Sequence, residues 1–211
     1  MSEHQLLQEG HSEIIEKKSR FIGRALPIES EQQAQEILKE IRKQYYDARH
    51  VCYAFQVDQI TRSSDDGEPS GTAGRPILDM IGYAGLKNVL VVVTRYFGGV
   101  LLGTGGLTRA YGQTAKEAIE AAPQMEILSG RKIDLVCDYN DYGKVDYLVR
   151  QKNIPVHSSD FGAEVTFSVM LEEENYEAFV KEVTDLTGGR TKIDAGNPLK
   201  YGLVGAEVRL L

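Results

Sequence analysis

Between Asn88 and Thr94 the chain carries five aliphatic residues in an unbroken run, Val89-Leu90-Val91-Val92-Val93. A run this short and this rich in β-branched residues reads as a strand, and without alternation it has no wet face, so it must be buried on both sides. Three segments with helical apolar spacing accompany it. Ser30 with Gln33 makes a capping box, and Ala34, Ile37, Leu38 and Ile41 follow at helical spacing to an end near Tyr45-Tyr46-Asp47. Pro76 suits the first turn of a second helix through Ile77, Met80, Ile81 and Ala84. A third is predicted from about Gly106 to Ala122, with Leu107, Ala110, Tyr111, Ala115, Ala118 and Ile119 on its core face.

Other strands are predicted at Glu13 to Lys18, Ser19 to Pro27 and His50 to Val57, the first two mixing apolar and charged residues as half-solvated strands do. An acidic, glycine-rich loop is expected from about Ile60 to Gly74. Pro123 closes this unit, and the texture then changes to a β-α-β-β-α-β series. Its strands lie around Lys132 to Cys137, near Ile154-Pro155-Val156, at Val165 to Leu171, and in a last strand or pair holding Val204, Ala206, Val208 and Leu210. Its helices carry Tyr142, Val145, Leu148 and Val149, then Tyr176, Phe179, Val180, Val183 and Leu186 up to Gly188-Gly189. The reading is α+β in two domains, residues 1–123 and 124–211, the second a ferredoxin-like sandwich with two helices on one face of an antiparallel sheet.

A net charge of −7 argues against holding nucleic acid by bulk electrostatics and leaves room only for a local basic patch. No apolar run is long enough to span a bilayer, and Met1-Ser2-Glu3-His4-Gln5 lacks a signal-peptide pattern, so the expectation is a cytoplasmic protein without a membrane partner. Cys52 and Cys137 sit in separate strand-like runs and read as buried free thiols of a reducing compartment. His4, His11, His50 and His157 are scattered, with only His50 near a cysteine, so neither a metal site nor a cofactor is predicted.

Chemistry concentrates between Asp65 and Gly112. Gly103, Gly105 and Gly106 lead into the third helix, whose free N–H groups and positive dipole end favour an anion. Arg109 in that first turn opposes the dipole unless something negative joins it, and Arg75 and Arg95 are candidates to converge there on a phosphate. Equally, Asp65, Asp66 and Glu68 can neutralise these arginines internally. His50, Asp66 and Glu68 are the acid/base candidates, although no nucleophile elbow or triad order accompanies them. Ser70 and Thr72 read as turn or cap residues, and Tyr96, Phe97 and Tyr111 as core aromatics before stacking platforms. Neither a Walker A loop nor a dinucleotide fingerprint is present.

Taken as strings, these segments are more specific. Asp65-Asp66-Gly67-Glu68-Pro69-Ser70-Gly71-Thr72-Ala73-Gly74-Arg75-Pro76, Thr94-Arg95-Tyr96-Phe97-Gly98-Gly99 and Leu102-Gly103-Thr104-Gly105-Gly106-Leu107 through Arg109-Ala110-Tyr111 resemble the Impact family. His50-Val51-Cys52-Tyr53-Ala54 is similar to that family's histidine-containing strand, and the likeness runs along essentially the whole chain. It points to the family's bacterial YigZ/YvyE type. The resemblance implies an N-terminal domain of the ribosomal protein S5 domain 2-like fold and a ferredoxin-like C-terminal domain similar to the last domain of elongation factor G. It also implies a setting in translational control, which the family's eukaryotic members exert by protein contact through an added N-terminal domain.

Three functions follow as expectations. The first is a binding protein that touches RNA, the ribosome or ribosome-associated partners through Arg75, Arg95, Gly105, Gly106 and Arg109. The second is an enzyme acting on a phosphorylated small molecule. The third is a protein-docking surface without chemistry.

Overall fold

Val89–Val93 lies in the middle strand of a five-stranded antiparallel sheet, covered on both faces as its composition demands. The computed structural model describes residues 3–205 and 207–211; Ala206, read above as part of the last strand pair, lies outside the described residues. In chain order the first elements are β1 (Glu3–Leu6), β2 (Gly10–Glu16), β3 (Ser19–Pro27), α1 (Glu31–Gln44), β4 (His50–Val57) and β5 (Ile60–Ser64). Then come α2 (Gly74–Tyr83), β6 (Val89–Tyr96), α3 (Thr104–Ala121) and β7 (Gln124–Cys137). The chain divides within β7 into two units, Met1–Met125 and Glu126–Leu211.

Strand order in the first unit is β2-β3-β6-β4-β5. Val89, Val91 and Val93 join a core with Ile77, Ile81, Leu107, Tyr111 and Ala115 of α2 and α3, while Leu90 and Val92 join Ala34, Leu38 and Ile41 of α1. Each fully buried aliphatic side chain contributes about 1.5–3 kcal/mol, so this strand anchors both cores. α1 begins as predicted, with Ser30 Oγ accepting from the Gln33 N–H at 3.1 Å. Gln33 Oε1 returns the cap one residue earlier than a strict capping box, accepting from the Glu29 N–H at 2.6 Å.

Several boundaries differ from the sequence reading. Ile60–Ser64, expected as loop, is the edge strand β5, paired with β4 from Val57↔Ile60 to Tyr53↔Ser64. Its polar Thr-Arg-Ser-Ser run is what an exposed edge tolerates and what pattern reading discards. β1 is four residues long and also escaped the pattern, although its Leu6 is buried. The strand expected to reach Lys18 ends at Glu16, because Lys17 and Lys18 turn the β2–β3 hairpin with φ of 44° and 65°. α3 starts at Thr104, so Gly105 and Gly106 sit inside its first turn rather than before it.

From Glu126 the second unit continues along β7 through α4 (Tyr139–Gln151), β8 (Val156–Phe161), β9 (Val165–Glu172), α5 (Tyr176–Thr187), β10 (Lys192–Val204) and β11 (Glu207–Leu210). Its strands lie in the order β11-β10-β7-β9-β8, each antiparallel to its neighbours. Ile133, Leu135, Phe167, Val169 and Leu171 face Val145 and Val149 of α4 and Phe179 and Val183 of α5 in one core. The strand expected near Ile154-Pro155-Val156 begins only at Val156, and β7 and β10 start well before the segments read for them. Asp138 caps α4 by accepting from the Asp141 N–H at 2.8 Å, and Gly188 ends α5 at φ 60°.

Candidate functional site

Register builds the site. β4 and β6 pair so that His50 stands opposite Arg95. Alternation along each strand puts Arg95 on the face of Val93 and Val91, and His50 on the face of Cys52 and Ala54, which is the α2–α3 side.

The loop after β5 brings a carboxylate to this pair. Asp65 accepts backbone N–H groups from Gly71 at 2.8 Å, Ala73 at 3.0 Å and Gly74 at 2.8 Å. It thereby closes the start of α2, whose own N-cap residue is the alanine Ala73. Burial works against ionisation of Asp65, but the three N–H donors outweigh it and hold the carboxyl below its ordinary range. Asp66 accepts the Val51 N–H at 2.7 Å and Arg42 at 3.2 Å, which pins the loop across β4.

Glu68 is thereby delivered to Arg95, with Oε1 at 2.5 Å from Nη1 and both side chains almost fully buried. The same oxygen accepts from the Tyr111 hydroxyl at 2.8 Å. Cys52 Sγ lies 3.3 Å from that hydroxyl and 3.0 Å from the Asp65 carbonyl. Burial pushes the Cys52 thiol up to about 12 and the Tyr111 phenol up as well, so both stay neutral donors. The Arg95 guanidinium sits 5.4 Å from the Phe21 ring and 5.6 Å from the Phe97 ring, and its Nε has no hydrogen-bond partner among the described residues. His50 Nδ1 is 2.8 Å from the Asp66 carbonyl, an acceptor that keeps the proton on Nδ1 in the neutral ring. Its Nε2 lies 3.8 Å from Glu68 Oε1.

This network floors a half-open cleft of about 430 Å³. Its lining combines Arg49, His50, Gly67, Glu68, Pro69 and Arg95 with Phe97, Leu101, Leu102 and Leu107, and Gly103-Thr104 bring in the start of α3. The connection from β6 to α3 holds its course because Gly98 lies against the Lys18 backbone, where a Cβ would meet the carbonyl carbon at 2.0 Å. Phe97 is 41% exposed and Leu101 82%, and Arg49 lies 5.7 Å from the Phe97 ring.

The three arginines expected to converge do not. Only Arg95 reaches the cleft, and there it is buried and paired. Arg75 is on exposed helix surface, bonded to Asp79 at 2.8 Å. Arg109 lines a separate hollow with Ile14, Glu16, Gly106 and Gln113. The acids divide their work differently from the simple neutralisation considered above: Glu68 pairs Arg95, Asp66 pairs Arg42, and Asp65 binds backbone. His50 and Glu68 do meet, while Asp66 serves the loop and β4, and Gly105 faces open space. Sequence reasoning missed Arg49 and Leu101, placed Phe97 in the core, and gave Cys52 and Tyr111 no part in the network. The β4–β6 register that unites them leaves no trace in local pattern.

Models of two domains match the chain, the Impact N-terminal domain over residues 17–119 and a domain of unknown function over residues 135–190. The IMPACT family member YvyE of Bacillus subtilis (strain 168) is 38% identical over 190 residues, spanning 89% of this chain and 88% of the relative. The chain belongs to the IMPACT family. The IMPACT family member YigZ of Escherichia coli (strain K12) is 32% identical over 182 residues, 84% of this chain and 89% of the relative. A crystal structure described as that of a hypothetical protein aligns with a TM-score of 0.58 at 30% identity, covering 93% of this chain and 98% of that one. The two-domain α+β architecture and the family likeness read from the signature segments are thus both established. Every residue of the cleft falls inside the part that matches the Impact N-terminal domain.

Proposed function

We propose that this IMPACT family chain is a cytoplasmic binding protein of translational control, and that its N-terminal cleft docks a protein partner associated with the translation apparatus. The observation that carries this is in the lining: Phe97 and Leu101 are 41% and 82% exposed on one short connection, with Arg49 against the Phe97 ring. An aromatic, a leucine and an arginine around a concave, charge-compensated floor have the make-up of a protein-binding hot spot. The translational setting comes from the family resemblance. Direct RNA contact through Arg75, Arg95 and Arg109 is less well supported, because these side chains are separated or already paired and the chain carries a net charge of −7. The same separation weighs against an enzyme for a phosphorylated small molecule, which would need the cations together. In the second unit, the strand order β10-β7-β9-β8 with both helices in one core supports the ferredoxin-like reading.

Sedimentation of tagged protein with ribosomal fractions tests the proposal. Leu101→Asp is expected to reduce co-sedimentation at least fivefold and Arg109→Ala to leave it unchanged. Unchanged co-sedimentation of Leu101→Asp, with salt-sensitive loss in Arg75→Ala or Arg109→Ala, would replace the protein-docking reading with an RNA one.

A further inference from the structure

We infer that the free edge of β2 is a docking site for an extended, acidic polypeptide segment, which adds to the five-stranded sheet as a sixth strand. β2 is seven residues long and pairs with β3 in unbroken register from Gly10↔Ala25 to Glu16↔Ser19. Lys17 and Lys18, both at positive φ, make a two-residue turn of the I′ kind, so the Glu16–Ser19 pair that closes it exchanges both backbone bonds. Alternation from there turns the N–H and C=O groups of Ile15, Glu13 and His11 away from β3, and no strand among the described residues meets them. The other sheet edges are blunted: β11 is four residues long, β5 five, and β8 breaks register between Val156 and Ser158. β2 has neither a bulge nor a proline, and it leaves Ile15 69% exposed. Such an edge is a template for another chain.

The flank of this edge decides what it accepts. Gly10, Ser12, Ile14 and Glu16 share the face toward α3. A Cβ at Gly10 would run into the Ala118 carbonyl, and Ser12 Oγ donates to the Thr114 carbonyl at 2.7 Å, so β2 lies tight against α3 there. Further along, the two elements leave a hollow of about 520 Å³, lined by Ile14 and Glu16 from β2 and by Gly106, Arg109, Ala110 and Gln113 from α3. A strand added here finds backbone partners along β2 and, beside the small residues Gly106 and Ala110, room for its alternate side chains. Arg109 has no ion-pair or hydrogen-bond partner among the described residues, and neither have Lys17 and Lys18, which follow Glu16 directly. Glu13 is already held by Arg20 at 2.8 Å. Three cations therefore stand against the one carboxylate of Glu16 at this end of the edge, in a chain whose net charge is −7. That local sign selects a strand with an acidic side chain turned into the hollow.

Fluorescence anisotropy of the full chain with the labelled peptide Thr-Val-Thr-Glu-Thr-Val-Thr, blocked at both termini, provides the test. Its valines and glutamate fall on one face of the strand. Replacing the peptide's glutamate by lysine is expected to weaken binding at least tenfold. Arg109→Glu is expected to reverse that preference with the melting temperature unchanged, since Arg109 holds no contact within the fold. Amide exchange followed by NMR is expected to slow at least tenfold at Glu13 and Ile15 when the glutamate peptide is bound. No binding of that peptide, equal binding of the two peptides, or binding that leaves those amides unprotected would each overturn the inference. Dimerisation in sedimentation velocity that protects the same amides without peptide would assign the edge to a second copy of the chain instead. Ribosomal co-sedimentation reports on the cleft alone, which shares no lining residue with this hollow.

Discussion

Arg95, read from the sequence as a candidate contact residue, is buried and paired with Glu68. Its partner Glu68 is buried with it, so Arg95→Met would strand a carboxylate among apolar groups; breaking such a pair costs about 3–5 kcal/mol. Tyr111→Phe removes the other donor to Glu68 and should cost about 1–3 kcal/mol. Urea denaturation of both variants checks this, and a loss under 1 kcal/mol for Arg95→Met would mean the pair is not the keystone described. Loss of binding in an Arg95 variant is consequently to be read as loss of fold until stability is measured. At this scale the sequence singled out His50, Glu68 and Arg95, and the structure brings the three side chains together. The sequence leaves internal neutralisation of the arginines by Asp65, Asp66 and Glu68 open, but does not say that Glu68 is the acid that meets Arg95, since that depends on a loop crossing a strand far away in the chain.

Helices were the most legible elements, and for physical reasons. Apolar spacing and caps are local, so Ser30 and the run to Ile41 gave α1, and Gly188-Gly189 gave the end of α5. The polar edge strand β5 and the short β1 carry no such local signal. Element termini also hold the chain's clearest acid-sensitive contact. Asp141, in the first turn of α4, bonds Arg190 at 2.8 and 2.9 Å and Lys144 at 2.8 Å. These partners lower its carboxyl from 3.8 to about 2. The depressed value favours the ionised native form, so the contribution is complete above the unfolded value near 3.8 and is lost as pH falls from about 4 toward about 2. Arg190→Ala should move that loss to higher pH. The difference in melting temperature between variant and wild type, followed by circular dichroism from pH 6 to 2, should narrow at the acid end; a constant gap would remove Asp141 from the account.

For the molecule as a whole, the α+β class was readable because the aliphatic run demanded cover on both sides and the second half repeated strands and helices at regular intervals. Sheet order was not, since it depends on which distant strands pair. The hydrophobic cores of the first unit draw on residues from Leu6 to Ala122, and the core under α4 and α5 draws only on later ones. Residues 1–125 expressed alone are therefore expected to unfold cooperatively and to keep the cleft; a molten far-UV and near-UV spectrum for that fragment would contradict this. The pairing of His50 with Arg95 has one more consequence. β4 is hydrogen-bonded on both edges, to β6 and to β5, and a shift of one position turns every side chain to the opposite face. A single-codon deletion between 51 and 57 would send His50 toward α1 and empty the cleft floor, whereas extra residues at the two-residue Asp58-Gln59 turn would leave it untouched. Among natural variants of this chain, length changes should accumulate at that turn and be absent from the strand before it.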